Sequence, residues 1–265
     1  MNRIETAFQH KPIFMPYFPL GYPDLETSID VIEALAKNGA DLIEVGLSFS
    51  DPLADGPVIQ QATQVALEKG ITVRKSLEAL REVRRRGVDI PLILMGYYNP
   101  MLAYGLEKFV QDAADAGTDG FIVPYLPPEE ADEFMLALAA DSRKPLPLIQ
   151  MLAPTTSSER MEKTARNAQG FIYLVSVTGV TGERKSISEG LGELIARVQE
   201  HSSVPVCVGF GISTPKQARE VGEMADGVIV GTACVRTIGG SQTPVQAAKE
   251  FAKEFYLALQ DGNQR

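Results

Sequence analysis

The feature that most constrains the fold is a rhythm of eight short apolar segments, each followed by a longer stretch with helical spacing. The segments are rich in Val, Ile, Leu and aromatic residues and do not alternate apolar with polar positions, which is typical of strands buried on both faces. They cover 13–18, 41–46, 91–97, 120–125, 147–152, 170–176, 205–210 and 227–231. Eight strand–helix units predict an α/β fold, the (β/α)8 TIM barrel.

The stretches between the segments predict the helices of this barrel. They cover 25–38, 76–86, 106–116, 129–140, 158–168, 192–201, 216–222 and 245–259. Gly39, Gly87 and Gly117 stand where three of these helices should end, because glycine adopts the left-handed conformation that closes many helices. Residues 1–10 are expected to form an extra N-terminal helix across the barrel floor.

One alternative architecture is an open, doubly wound sheet. It is disfavoured because no G-x-G-x-x-G motif follows the first apolar segment and no change in composition divides the chain. The 265 residues also match the usual size of one barrel. We therefore expect a single domain over 1–265.

Composition excludes several classes of function. Lys and Arg number 25 and Asp and Glu number 34, so the net charge of −9 disfavours nucleic acid as a partner. No apolar run reaches the ~18 residues of a membrane span, and the first ten residues lack the apolar core of a signal peptide. Two cysteines fit a cytoplasmic protein without disulfides, and two histidines make a metal site improbable.

The loop after the second segment carries the acidic candidates, since chemistry in this fold lies where strands end. Glu44 stands inside an apolar strand and should point into the barrel, where lost hydration would raise its pKa and let it carry a proton near neutral pH. The alternative is a structural Glu paired with an Arg or a backbone N–H. Asp51 and Asp55 follow in a Pro- and Gly-rich loop, either as part of a lid or as turn-forming residues.

Three glycine-rich segments follow the sixth, seventh and eighth apolar segments. They are 176–182, 209–213 and 231–233. Glycines let a phosphate approach backbone N–H groups closely, and loops after strands 7 and 8 are the usual phosphate site of this fold. The pattern predicts a phosphate site, with simple turn glycines as the alternative.

The run F-S-D-P-L-A-D-G-P at 49–57, with Glu44 shortly before it, resembles the alpha subunit of tryptophan synthase. The resemblance continues through 16–17, 21–23, 97–100, 127–130, 179–182 and 209–213, and so spans nearly the whole chain. It implies a carbon–carbon lyase of tryptophan biosynthesis that cleaves indole-3-glycerol phosphate to indole and glyceraldehyde 3-phosphate. No metal or cofactor on this chain is implied.

The resemblance also implies roles for single residues. Glu44 matches the general acid–base, Asp55 the acid that binds indole, and Tyr173 an aromatic hydroxyl near the catalytic carboxyl. The matching phosphate contacts are Gly182, Gly211, Gly231 and Thr232, where the family usually has Ser at the last position. Tyr17 and Tyr97 are candidate walls for an apolar indole, together with Leu94, Met95 and Leu174; each is otherwise a core residue.

The implied partner is a beta subunit that carries pyridoxal phosphate, in an alpha2-beta2 assembly. The implied contact surface includes Asp51, Asn99 and Pro100. Ser48, Tyr125 and Val177 depart from residues common in the family, respectively Pro, Asp and sometimes Arg. Three alternatives stay open: a stand-alone lyase, a catalytically weak subunit that mainly activates its partner, and another phosphosugar barrel such as an isomerase.

Overall fold

Eight parallel strands form the centre of the protein, in a computed structural model that describes residues 2–140, 146–176, 188–209 and 211–260. Their order around the sheet is β4-β3-β2-β1-β8-β7-β6-β5. Ile149 donates a backbone hydrogen bond to Phe121, and Phe121 donates one to Pro147, so the two ends of the sheet meet and nearly close a barrel. The strands are β1 (Ile13–Pro19), β2 (Ile43–Gly46), β3 (Leu92–Met95), β4 (Gly120–Ile122), β5 (Gln150–Leu152), β6 (Ile172–Val175), β7 (Val206–Gly209) and β8 (Gly227–Val230). The predicted fold is confirmed.

Helices pack around the outer side of the sheet, except for the short first helix, which lies across the floor of the barrel. They are α1 (Arg3–Ala7), α2 (Leu25–Lys37), α3 (Pro57–Glu68), α4 (Val73–Arg85), α5 (Tyr98–Tyr104), α6 (Leu106–Ala116), α7 (Asp132–Ala140), α8 (Ser158–Asn167), α9 (Ser188–His201), α10 (Pro215–Gly222), α11 (Thr232–Gly239) and α12 (Pro244–Gln260). A 3-10 turn over Pro128–Glu130 precedes α7, where the sequence had predicted helix from 129 onward. The sequence analysis missed α3, α5 and α11. No helix in the described ranges is long and apolar enough to span a membrane.

Local chemistry explains where several helices begin and end. Thr214 accepts a hydrogen bond from the backbone of Gln217, whose side chain bonds back, so α10 starts with a capping box. Gly39, Gly87 and Gly117 all have positive φ angles, of 123°, 83° and 93°, in the positions predicted for them.

Two apolar layers follow from the alternation of side chains along each strand. Inward-facing residues fill the barrel, among them Met15, Ile93 and Ile229, while outward-facing residues pack beneath the helices. Leu94 and Leu174 belong to the outer layer, so the expectation that they line a pocket is wrong: each lies one residue out of phase with the inward positions.

The short helix α1 closes the floor of the barrel, as the sequence predicted. Ile4 and Phe8 are buried in the inner apolar cluster, and the Phe8 ring lies 6.0 Å from that of Phe171. Arg3 forms a 3.3 Å ion pair with the buried Asp119, which also bonds Arg84 and accepts from the backbone N–H of Leu92. The helix is therefore held by apolar packing and by charge.

Candidate active site

A cavity of about 420 Å³ lies at the carboxyl ends of the strands. Strands β1, β2, β3, β6 and β8 and the loops after β2, β7 and β8 supply its walls. The lining residues are Tyr17, Glu44, Ala54, Asp55, Gly56, Ile59, Met95, Tyr173, Gly211, Ile212, Ser213, Ile229, Gly231, Thr232, Ala233 and Arg236. Much of the lining is apolar, with a few polar groups that converge, which is typical of a site for a small molecule.

Glu44 lies in the middle of β2, in register with Tyr17 on β1 and Ile93 on β3. Only 1% of the residue is exposed, and its Oε1 has no hydrogen-bond partner in the described part of the chain. Burial, together with a smaller contribution from the nearby charge of Asp55, raises the pKa of Glu44 from 4.5 to about 8. Among the described residues, no Arg or backbone N–H pairs with Oε1, as the alternative of a paired structural Glu would require, and burial favours the protonated carboxyl near neutral pH.

Asp55 reaches the same cavity from the loop after β2. Tyr97 Oη donates a hydrogen bond of 3.0 Å to Asp55 Oδ2 and accepts one of 2.9 Å from the backbone N–H of Ala54. Burial raises the pKa of Asp55 from 3.8 to about 6, although the bond from Tyr97 lowers it. In the described residues Tyr97 does not line the cavity; it lies behind Asp55 and holds the loop.

Two tyrosines, Tyr17 and Tyr173, occupy the space next to Glu44. Burial raises the pKa of both hydroxyls well above 10.0, so both stay protonated. Each ring lies over a glycine of the next strand: a β-carbon on Gly46 would come within 2.3 Å of Tyr17 Oη, and one on Gly209 within 2.5 Å of Tyr173 Oη. The sequence analysis included Gly209 only in the candidate phosphate segment 209–213 and gave neither glycine a role beside a tyrosine. Their inward positions, two residues after Glu44 and Cys207, are the signal that could have found them.

The opposite wall of the cavity contains the glycine-rich turns after β7 and β8. Gly211 has a φ of +80°, a conformation that favours glycine. Gly231 directly precedes α11, whose first residue is Thr232, so the amino end of this helix faces the cavity. Gly182, the remaining predicted phosphate contact, lies outside the described residues, and so does the departure at Val177. Backbone N–H groups and a helix amino end together suit an anion.

A model of the family described as "Tryptophan synthase alpha chain" matches residues 5–261. The chain belongs to the tryptophan synthase alpha chain family. Curated alpha chains agree: the one from Geotalea uraniireducens is 48% identical over 241 residues, which is 89% of both chains. The one from Roseiflexus sp. is 46% identical over 264 residues, covering 98% of this chain and 99% of the relative.

Solved structures of tryptophan synthase share the fold. The subunit alpha from Legionella pneumophila has a TM-score of 0.86 at 37% identity, covering 98% of this chain and 99% of its own. A chain of tryptophan synthase from M. tuberculosis has a TM-score of 0.87 at 34% identity, with 98% and 99% covered.

The reaction implied by the sequence resemblance is the reaction of this family. The chain is a lyase of tryptophan biosynthesis that cleaves indole-3-glycerol phosphate to indole and glyceraldehyde 3-phosphate. Membership of the tryptophan synthase alpha family leaves an isomerase barrel without support, and it does not favour a stand-alone lyase or a mainly activating subunit.

The residues expected to contact a partner lie outside the cavity, near its mouth. Asp51 and Asn99 are exposed, and Pro100 is half-buried beside Asn99 in α5. Tyr125, which departs from the tryptophan synthase alpha pattern, is 73% exposed and has a φ of 62°. Its hydroxyl donates a 3.4 Å hydrogen bond to the carbonyl of Leu53, itself 80% exposed.

No group of three or more His, Cys, Asp and Glu residues in the described ranges could hold a metal ion. Both cysteines, Cys207 and Cys234, are buried and carry free thiols, and burial raises the pKa of each. Neither lines the cavity as described.

Proposed function

We propose that Glu44 and Asp55 perform the cleavage as an acid–base pair. Glu44 donates its proton to C3 of the indole ring, which turns the ring into an electron sink. Asp55, ionised, accepts a hydrogen bond from the ring N–H and stabilises the positive charge that develops there. The observation that carries this proposal is that two carboxyl groups with different pKa values, about 8 and about 6, face one cavity.

The second half of the reaction uses the same residue. Once ionised, Glu44 takes the proton of the hydroxyl on the side-chain carbon next to the ring. As that carbon becomes an aldehyde, the bond to C3 breaks and its electrons return to the ring. Indole and glyceraldehyde 3-phosphate result, and Glu44 is again protonated, so protons balance over the cycle.

The remaining lining residues position the substrate. Tyr173 lies close enough to Glu44 for that carboxylate's charge to raise the tyrosine's pKa, which supports a role beside the catalytic carboxyl. Tyr17 and Met95 offer apolar surface to the indole ring. The turns with Gly211 and Gly231, and the hydroxyl of Thr232, hold the phosphate; the sequence adds Gly182. Fixing both ends of the substrate aligns its carbon–carbon bond with Glu44.

A beta subunit is proposed as the partner, in an alpha2-beta2 assembly, with pyridoxal phosphate on that subunit and no cofactor on this chain. Its proposed docking surface consists of Asp51, Asn99 and Pro100. Exposed Leu53, Leu102 and Tyr125 support this choice, because large apolar side chains in solvent near a cavity mouth suit an interface. A covered mouth would also keep apolar indole from escaping.

The test is to incubate the purified chain with indole-3-glycerol phosphate and follow the release of indole. The chain has no tryptophan, so its own fluorescence interferes little. Glu44→Gln should lose about 10²–10⁴ in rate, the usual contribution of a proton carrier. Glu107→Gln, the same change at an exposed position on α6 away from the cavity, is the matched control and should retain the basal rate. Unimpaired turnover in Glu44→Gln would refute the proposal.

Adding a beta subunit separates the remaining alternatives. A several-fold rise in rate is expected for a subunit that works in a complex. A fast rate that does not respond would indicate a stand-alone lyase. A chain without measurable turnover of its own, which still stimulates the beta subunit, would indicate a mainly activating subunit.

A further inference from the structure

One cationic side chain lines the cavity within the described residues, and it belongs to Arg236. Arg236 lies on α11, four residues after Thr232, so the two share one face of the helix. The wall they form also includes Ser213 and Gly231. The sequence analysis did not consider Arg236, although its spacing from Thr232 was visible.

Within the described residues, the guanidinium of Arg236 forms no ion pair. Arg236 is exposed, and in the described ranges no carboxylate lies within ion-pair distance of it. By contrast, Arg86 on the opposite end of the barrel bonds Asp30 and Glu82, and Arg84 bonds Asp119. As far as the structure describes the chain, Arg236 can therefore turn toward a ligand without first breaking an ion pair.

Charge explains why such a group is needed here. The substrate's phosphate is a dianion near neutral pH. It must enter a cavity that already holds the ionised Asp55, on a chain whose net charge is −9. The backbone N–H groups of the glycine-rich turns supply only partial charges. A full positive charge beside them would offset the repulsion and add donors in a planar fork that matches phosphate oxygens.

We propose that Arg236 is a specificity-determining residue that binds the phosphate end of the substrate and selects phosphorylated over uncharged side chains. This inference rests on the proposed phosphate site in the turns after β7 and β8. It assigns Arg236 no part in the proton transfers, which lie at the opposite end of the substrate.

The test uses the reverse reaction, because there the two ends of the substrate are separate molecules. Arg236→Gln should raise the KM of glyceraldehyde 3-phosphate by about 10- to 100-fold, as expected for a lost charge-assisted contact. The KM of indole and kcat should stay within about twofold, since nothing changes near Glu44. Arg236→Lys keeps the charge but not the planar guanidinium. Its KM for glyceraldehyde 3-phosphate should lie between those of the unaltered chain and of Arg236→Gln.

A second measurement avoids catalysis altogether. The affinity of the whole chain for glycerol 3-phosphate can be measured by calorimetry. In Arg236→Gln this affinity should be weaker and should depend much less on salt concentration. Arg85→Gln is the matched control, because Arg85 is 78% exposed on α4 and its loss changes the net charge equally. This variant should bind glycerol 3-phosphate as the unaltered chain does.

Each outcome decides a different question. If the unaltered chain binds no glycerol 3-phosphate and releases no indole, the proposed function fails. If it does both, and Arg236→Gln leaves the KM of glyceraldehyde 3-phosphate unchanged, only the role of Arg236 is overturned. An equal rise in the KM of indole and in the KM of glyceraldehyde 3-phosphate would also overturn this role, because that result indicates a general distortion of the cavity.

Discussion

The hydroxyl of Tyr97 donates a hydrogen bond to the Asp55 carboxyl group and accepts one from the backbone N–H of Ala54. One side chain from the end of β3 thus ties two consecutive residues of the loop after β2. The Phe49 ring, 5.6 Å from that of Tyr97, packs at the start of the same loop. The position of the proposed indole-binding carboxylate therefore depends on a residue that does not touch the cavity as described.

The variant Tyr97→Phe should separate this positioning role from packing. It keeps the ring but loses both hydrogen bonds, so we expect kcat/KM to fall about 10-fold or more, in line with two lost bonds of ~1 kcal/mol each. Because the bond from Tyr97 lowers the pKa of Asp55, its loss should also move the acidic limb of the pH profile to higher pH. Tyr98→Phe is the control, since that hydroxyl bonds Glu133 instead. An unchanged acidic limb would contradict the role of Tyr97.

The pH dependence of kcat/KM should be bell-shaped. Asp55 must be ionised, which requires a pH above its pKa of about 6, and Glu44 must be protonated, which requires a pH below about 8. The maximum is expected between these values. Rates of indole release in buffers of constant ionic strength would measure it. A rate that keeps rising above pH 9 would show that Glu44 does not act as the acid.

The buried carboxyl of Glu44 should also cost stability at alkaline pH. Its pKa is raised on folding from 4.5 to about 8, so its contribution is fully present below 4.5 and is lost as pH rises through about 8. Glu44→Gln removes this titration and should be more stable than the unaltered chain by an amount that grows over that interval to a few kcal/mol. Urea unfolding at several pH values measures the difference. Glu107→Gln, at an exposed position, should show no such gain.

The glycine at position 46 should be needed for the shape of the cavity. A methyl group there would overlap Tyr17, so Gly46→Ala should push the ring aside, raise the KM of the substrate and destabilise the protein by roughly 1–3 kcal/mol. Adding Tyr17→Phe removes the nearest clashing atom, so it should restore part of the substrate affinity and part of the stability. Gly190→Ala, with nothing within 4 Å of its β-carbon, is the control for stability. No rescue in the double variant would argue against the clash.

The repeating pattern of apolar segments was sufficient to predict the barrel, because each of the eight buried parallel strands appears in the sequence as one apolar run. It could not show α3, α5 and α11, since each begins at or near the end of a loop at the cavity mouth and its pattern merges with that of the loop. Glu44 was predictable as a charge inside an apolar run. Side-chain direction was harder, since a shift of one residue moved Leu94 and Leu174 to the outer layer.

Contacts between distant parts of the chain were beyond the sequence. The bond from Tyr97 to Asp55 joins residues 42 positions apart, and no local pattern indicates it. Arg236 gave no signal of its own, because the helix that places it beside Thr232 was not predicted. Tyr125 was noticed as a departure, but its bond to Leu53 depends on how two loops meet.

Ile4 and Phe8 pack across the floor of the barrel, and this packing affects where ligands can enter and leave. In the described part of the chain, this packing closes the floor, and the cavity lies at the opposite end of the barrel, where Asp55 and Arg236 line it. Indole and the phosphorylated aldehyde are therefore expected to leave at the same end of the barrel at which their precursor enters. A protein bound at that end of the barrel would therefore influence the release of both products.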